Sequence, residues 1–314
     1  MQCVVNKTVA IALLLLALMP IKAEAQFNED LDANWGNEEK MLQRDDQIWS
    51  EEAANTVYTK AGNICLTSET RIGLSDQWEI SSNLGADIFA PNFFLKKLFK
   101  ISNKQEYWAF KVGLITGAPG YHIAQNHKYG KIISPDDDVP FVIDTNGELI
   151  YSYAFRHDPN CAKDNAWLIL SNSIAAHVGL NANGKHVSQA GYHFLANRAE
   201  TLRDWSVYIR AKVWVDWMIN SWIVLRGGMK YYFGNFKNHH ALETQVQGEF
   251  FLFRSLGIKL GGLLSYAHYT TVDKKFALFP SADLTYYFGK KTDRDNKLFD
   301  TKMRNKMKSL RTVK

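Results

Sequence analysis

At 314 residues the chain is long enough for two ordinary domains or for one large all-β barrel. Aromatics make up 13% of it and Trp occurs nine times, yet mean hydropathy is only −0.26, which excludes a bundle of membrane helices and suits strands in which every second residue is polar. The net charge of +5 joins an acidic beginning to a basic end, and it calls for no nucleic-acid partner.

Val9 to Met19 is an apolar run behind Lys7 that ends at Pro20 and is followed by Ala23 and Ala25 at small-x-small spacing. This predicts a signal peptide over residues 1–25, because the run is well short of the ~20 residues that span a bilayer. The mature chain then begins at Gln26, as suits a bacterial envelope protein. Residues 26–55 are acidic, with a net charge of −7 over 27–54, and read as a solvated periplasmic arm. Residues 290–314 carry seven Lys and three Arg against three Asp and read as a basic periplasmic tail.

Between these ends, over 56–289, the apolar residues recur with period two, the rhythm of strands and not of helices. Ile64, Leu66, Ile72 and Leu74 oppose Thr67, Glu69 and Arg71, predicting one strand over 64–74. Trp78, Ile80, Leu84, Ala86 and Ile88 oppose Glu79, Ser81, Asn83 and Asp87, predicting another. Further strands are predicted over Asn92–Lys100, Trp108–Gly117, Leu149–Phe155 and Leu168–Leu180. The clearest pattern lies in Trp205 to Phe233. Trp205, Val207, Ile209, Ala211, Val213, Val215 and Trp217 share one face and Arg210, Lys212, Trp214 and Asp216 the other; after a tight turn Leu225, Met229, Tyr231 and Phe233 oppose Arg226 and Lys230. Each arm is long enough to cross a bilayer, which takes ~9–11 tilted residues. Leu242–Phe253, Ile258–Tyr266 and Leu278–Phe288 complete the set.

Eleven strands are legible, and a barrel that closes on itself in antiparallel fashion needs an even number. A twelfth is therefore expected near Ile48–Thr59 or within His186–Asn197, with the first site favoured by strand direction. The fold class is an antiparallel transmembrane β-barrel of about twelve strands, with ten and fourteen as alternatives. The tight turns near Asp76, Ile219 and Ser255 all fall at one end, and the long segments 118–144 and 181–203 at the other. Outer-membrane barrels keep short turns in the periplasm and long loops outside, which places both termini in the periplasm of a Gram-negative bacterium.

Arg71 to Ile80 reads RIGLSDQWEI. It resembles the R-Y-G-L-T-D-x-x-E hairpin near the start of many outer-membrane β-barrels, including the family of phenol-degradation meta-pathway outer-membrane proteins. Thr56 to Glu69 is similar to the lead-in strand of those proteins. Ile72 stands where Tyr is usual and Ser75 where Thr is usual, and the likeness covers roughly thirty residues. It implies a porin-like closed barrel that conducts small solutes, poorly soluble or aromatic ones among them.

The faces assign candidate residues. Towards the lumen point Glu69, Arg71, Arg210, Lys212, Asp216, Arg226, Lys230, Glu243, Glu249, Lys259 and Asp283, with Glu79, Asp87 and Lys111 on the same arc as Glu69. These charges either line a wet pore with a transverse field or pair into a filling that closes a narrow barrel; the second is the usual content of such interiors. Trp205, Trp217, Tyr231, Phe233, Tyr286 and Phe288 are assigned to the lipid-facing aromatic girdle. Val213→Arg is expected to block assembly and Lys212→Ala to be tolerated.

No catalytic group, metal site or cofactor is expected: CxxC and HExxH are absent, and His177, His193, His239, His240 and His268 lack a Ser and acid at recognisable spacing. Asp136, Asp137 and Asp138 read as a solvated loop, and spacing gives no support to a disulfide between Cys65 and Cys161. The expected partners are outer-membrane lipid, the barrel-assembly machinery, which would read the aromatic end of the last strand, and a small solute. The expected function is a non-enzymatic passive channel or translocator. The alternatives are a lipid-modifying outer-membrane enzyme and a docking barrel that uses its charged ends.

Overall fold

A computed structural model of the chain describes residues 49–289, apart from 117–118, 120–140, 157–165, 184–205, 235–239, 268–275 and one or two residues in other turns. Twelve antiparallel strands close into a barrel, each paired with its sequence neighbours and the first with the last. They are β1 Gly62–Cys65, β2 Thr70–Gly73, β3 Trp78–Ser82, β4 Asn92–Ser102, β5 Glu106–Thr116, β6 Val142–Phe155, β7 Leu168–Asn181, β8 Ser206–Asn220, β9 Ile223–Gly234, β10 His240–Phe253, β11 Leu256–Ala267 and β12 Phe276–Phe288. A four-residue helix, α1 Leu84–Asp87, follows β3.

The strand number is as expected, but the twelfth strand lies in neither of the two expected segments. Ile64–Leu74 is two strands, β1 and β2, folded back at 66–69. The reason is an acid on the last strand: Asp283 accepts hydrogen bonds from the backbone N–H groups of Leu66, Thr67 and Ser68 at 2.8, 3.0 and 2.7 Å. A turn that aims three N–H groups inward needs an anion, and β12 supplies it. The predicted strand Trp78–Ile88 likewise stops at Ser82. There α1 begins, and Asp87 binds Ser82 and Asn92 instead of lining the wall.

The strand ends at 220 and 223 and at 253 and 256 lie at one end of the barrel together with those at 73 and 78, whereas the strand ends at 116 and 142 and at 181 and 206 lie at the other. Outward side chains are apolar along the long strands, as with Val207, Ile209, Val213 and Trp217 on β8, and inward ones are buried and polar. This is the inverse of a water-soluble protein, and it fits lipid outside.

Aromatic rings gather at both ends of the apolar band. At the long-loop end Tyr231, His240, Tyr266 and Phe276 form a chain of ring contacts 6.5, 6.2 and 4.8 Å apart. At the short-turn end Trp108 meets Tyr151 and Phe155 meets Trp167, at 4.8 and 6.1 Å. Of the expected girdle, Tyr231 and Phe233 belong to the first ring, and Trp217, Tyr286 and Phe288 to the second; Trp205 lies outside the described residues. The two Tyr-Tyr-Phe clusters thus sit at opposite ends, because β9 and β12 enter them from opposite directions. From Phe276 to Tyr286, about 3.3 Å per residue along a strand tilted about 40° gives roughly 25 Å, the height of an outer-membrane apolar band.

Candidate functional site

The interior is occupied by the chain itself. Residues 49–58 form no wall strand; they run inside the barrel, where Trp49, Ser50, Ala53, Ala54, Thr56, Val57 and Tyr58 are all buried. The expectation of a solvated arm over 26–55 therefore fails for 49–55, and residues 26–48 lie outside the described ones. An irregular backbone at this depth persists only if the barrel satisfies its polar groups. Wall side chains do so. Arg71 Nη2 donates to the carbonyl of Trp49 at 3.0 Å, Lys96 Nζ to that of Ala53 at 3.2 Å, and the N–H groups of Ala54 and Val57 donate to Ser152 and Glu79 at 2.8 and 2.9 Å.

Two of these contacts explain the hairpin RIGLSDQWEI. Arg71 holds the entrance of the inner segment and Glu79 its exit. Between them Gly73 leaves room, since a Cβ there would stand 2.1 Å from the carbonyl oxygen of Tyr58. The segment leaves the interior through Lys60, in the left-handed region at φ 62°, whose N–H donates to Gly73. The hairpin is a clamp for the inner segment.

Around the segment runs a layer of ion pairs. Glu52 places Oε2 2.5 Å from Lys212 Nζ and Oε1 2.9 Å from Lys230 Nζ. Lys212 also meets Glu148 at 2.7 Å, and Glu148 meets Arg210 at 3.0 Å. Asp216 accepts from Ser50 and from Trp214 Nε1 and lies 3.4 Å from Arg226, which pairs with Glu249 at 2.5 Å. Across the barrel Lys96 meets Glu79 at 2.9 Å and Lys111 meets Glu69 at 2.6 Å. Burial by itself pushes the Glu52 carboxyl up, but Lys212, Lys230 and Arg210 outweigh it and hold it well below the usual carboxylate range. Glu51 is lowered in the same way, burial being outweighed by Lys259 and Arg71.

All eleven lumen candidates stand on this inner surface with a polar contact. Glu243 accepts from Tyr232 and Ser265, Glu249 also accepts from Tyr287, and Lys259 reaches Cys65 Sγ at 3.8 Å. A filling made of wall-to-wall pairs accounts for only part of these contacts. Arg226–Glu249 is such a pair, whereas Lys212 and Lys230 converge on Glu52 of the inner segment. Glu148 and Lys96 also point inward and are buried, as alternation along their strands requires. Ser50 and Glu52 carry no strand rhythm at all.

At the short-turn end the inner segment is packed by apolar residues. Trp49, Ala53 and Ala54 meet Leu98, Tyr107, Ala109, Ile150, Val224 and Phe251, with the rings of Trp49 and Tyr107 edge to face at 4.9 Å. Nearer the long loops, His177 stacks on Tyr208 at 4.3 Å, with Nδ1 3.0 Å from its hydroxyl and 3.9 Å from Asp144. His240 faces outward among the aromatics; His193, His239, His268, Asp136, Asp137, Asp138 and Cys161 lie outside the described residues. Cys65 carries a free thiol. Among the described residues no three His, Cys, Asp or Glu are placed to hold a metal ion.

No family model matches the chain, and neither does any curated protein sequence. Solved structures match in architecture. OmpT of Vibrio cholerae, expressed in the outer membrane, aligns with a TM-score of 0.40 at 9% identity over 70% of this chain, which spans 64% of that protein's length. The NanC porin aligns with a TM-score of 0.40 at 13% identity, covering 73% of this chain and 98% of its own. The outer-membrane channel DcaP of Acinetobacter baumannii aligns with a TM-score of 0.34 at 8% identity, covering 77% and 69%. The likeness is one of barrel architecture and lends this chain neither a substrate nor an activity.

Proposed function

We propose that the protein is an outer-membrane channel for small solutes, with its short turns and both termini on the periplasmic side, and that residues 49–58 are its gate. The supporting observation is the size of the wall residues behind the inner segment. Ala109, Ser152, Ala154, Ser171 and Ala175 point inward and are buried to 2% exposure or less. Eight-stranded barrels are filled by their own side chains, but diameter grows with strand number, and methyl and hydroxymethyl groups cannot meet across twelve strands. Of these, Ala109, Ser152 and Ala154 are covered by Ala53 and Ala54 of the segment, and withdrawing it leaves a passage lined by polar and charged groups. Such a lining suits a polar or ionic solute better than the aromatic solutes implied by the hairpin resemblance.

The test is conductance across planar bilayers. The wild type is expected to carry little current, and a variant lacking residues 26–58 to carry a large and steady one. Heat-modifiable migration in gels verifies that the shortened barrel is folded. A folded barrel that carries no more current than the wild type would overturn the channel reading.

A further inference from the structure

Glu52 is a carboxylate on a tether. It meets two lysines that stand directly opposite one another, Lys212 on β8 and Lys230 on β9. Like charges placed so repel, and the pair is stable only with anions beside it. The wall supplies one: Glu148 holds Lys212, and is itself held by Arg210 and by the hydroxyl of Ser173 at 2.5 Å. Glu243 stands across from Lys230 on β10 and accepts from Tyr232 and Ser265. A further anion comes from the inner segment, whose Glu52 gives one oxygen to each lysine. That is how a free carboxylate would be held, by two charge-assisted hydrogen bonds from fixed donors. The side chain of Lys212 is fully buried, whereas Glu52 and Lys230 keep 16% and 11% of theirs exposed, so the site has a rigid floor and an open edge.

We propose that Lys212 and Lys230 form a binding site for the carboxylate of a small organic anion, and that Glu52 is its resident stand-in. The proposal rests on the gated-channel reading and names the solute class. A solute carboxylate that takes the two lysines releases Glu52 and loosens the segment that closes the barrel.

The experiment uses the full chain with Glu52→Ala, which removes the atoms of one acetate ion, and probes it with sodium acetate and, as a neutral control of the same shape, acetamide. Acetate is expected to raise the unfolding temperature of Glu52→Ala in detergent in a saturable way and, in the wild type, to displace Glu52 and raise the bilayer current. Acetamide is expected to do neither. Adding Lys212→Met and Lys230→Met should weaken acetate binding by about tenfold or more, as two charge-assisted hydrogen bonds are lost. If Glu52→Ala does not assemble, Glu52→Gln replaces it, and acetate but not acetamide should again raise its unfolding temperature. Equal effects of acetate and acetamide, or acetate binding that survives loss of both lysines, would overturn the site. Failure of the channel reading shows separately, as a Glu52→Ala current no larger than wild type, while the thermal shift still reads the lysines without any current.

Discussion

The hydroxyl of Ser50 donates to Asp216 Oδ2 at 2.8 Å, and its backbone N–H approaches the same oxygen at 3.4 Å. A residue ahead of the first strand is thereby anchored to the wall near its short-turn end. Asp216 keeps Trp214 and Arg226 when Ser50 is changed, so Ser50→Ala removes the anchor without stranding the acid. A hydrogen bond to a charged group contributes about 1.5–3 kcal/mol. Ser50→Ala is therefore expected to raise the open fraction of the channel about tenfold or more, read as bilayer current, with the folded barrel intact on gels.

Gly73→Ala is expected to displace the inner segment from its exit. The new Cβ meets the carbonyl oxygens of Tyr58 and Val57 at 2.1 and 2.7 Å, both of them backbone atoms that cannot rotate away. Overpacking of this kind costs about 1–3 kcal/mol. Limited proteolysis of the folded protein should cut within 49–58 faster than in the wild type; unchanged cutting would mean that the segment passes Gly73 differently.

Asp283→Ala leaves three turn N–H groups without their acceptor and is expected to destabilise the closing seam by about 1–3 kcal/mol, with Asp283→Asn intermediate because one oxygen remains. Urea unfolding in detergent reads the difference. If all three proteins unfold alike, the turn is held by something other than the acid.

Val213→Arg is expected to prevent assembly, since an arginine on the lipid face near the midplane costs about 2–4 kcal/mol, and Val213 faces outward. Lys212→Ala, one residue away, is not the neutral change that alternation suggested. It strips a shared cation from Glu52 and Glu148, and breaking a buried pair costs about 3–5 kcal/mol. Lys230 and Arg210 remain to those acids, so the loss falls at the low end. The variant should assemble but unfold at a lower temperature and carry more current than the wild type.

The Glu52 contact is expected to withstand mild acid. Its folded carboxyl lies well below the usual range, so its stabilisation is fully present above the unfolded value of about 4.3 and is lost only as pH falls through the lower folded value. The difference in bilayer current between the wild type and Glu52→Gln should thus be the same at about pH 5 as at about pH 8. A rise by pH 5 that vanishes in Glu52→Gln would show that Glu52 titrates in the ordinary range.

Alternation alone carried the wall into view. A side chain on a long strand has only two directions, and with lipid on one side and a polar interior on the other, residue type states which it takes. That is why the order of residues suffices to side Val213, Trp217, Arg210, Lys212 and Asp283. The same rule misjudged Ile64–Leu74. Its alternation continues through the turn at 66–69, and the carboxylate that breaks the strand stands more than two hundred residues away at Asp283.

Sequence by itself thus determined a transmembrane barrel, its strand number and the charged character of its interior, because each follows from local period and from closure. Only tertiary structure decided what those charges meet. Residues 49–58 look like any acidic, irregular stretch, since their polar groups are satisfied by side chains of strands β2, β3, β4, β6, β8 and β9 and not by their own neighbours. No periodicity records a contact made across a barrel, so neither the inner segment nor the two lysines that hold Glu52 could be read from local pattern.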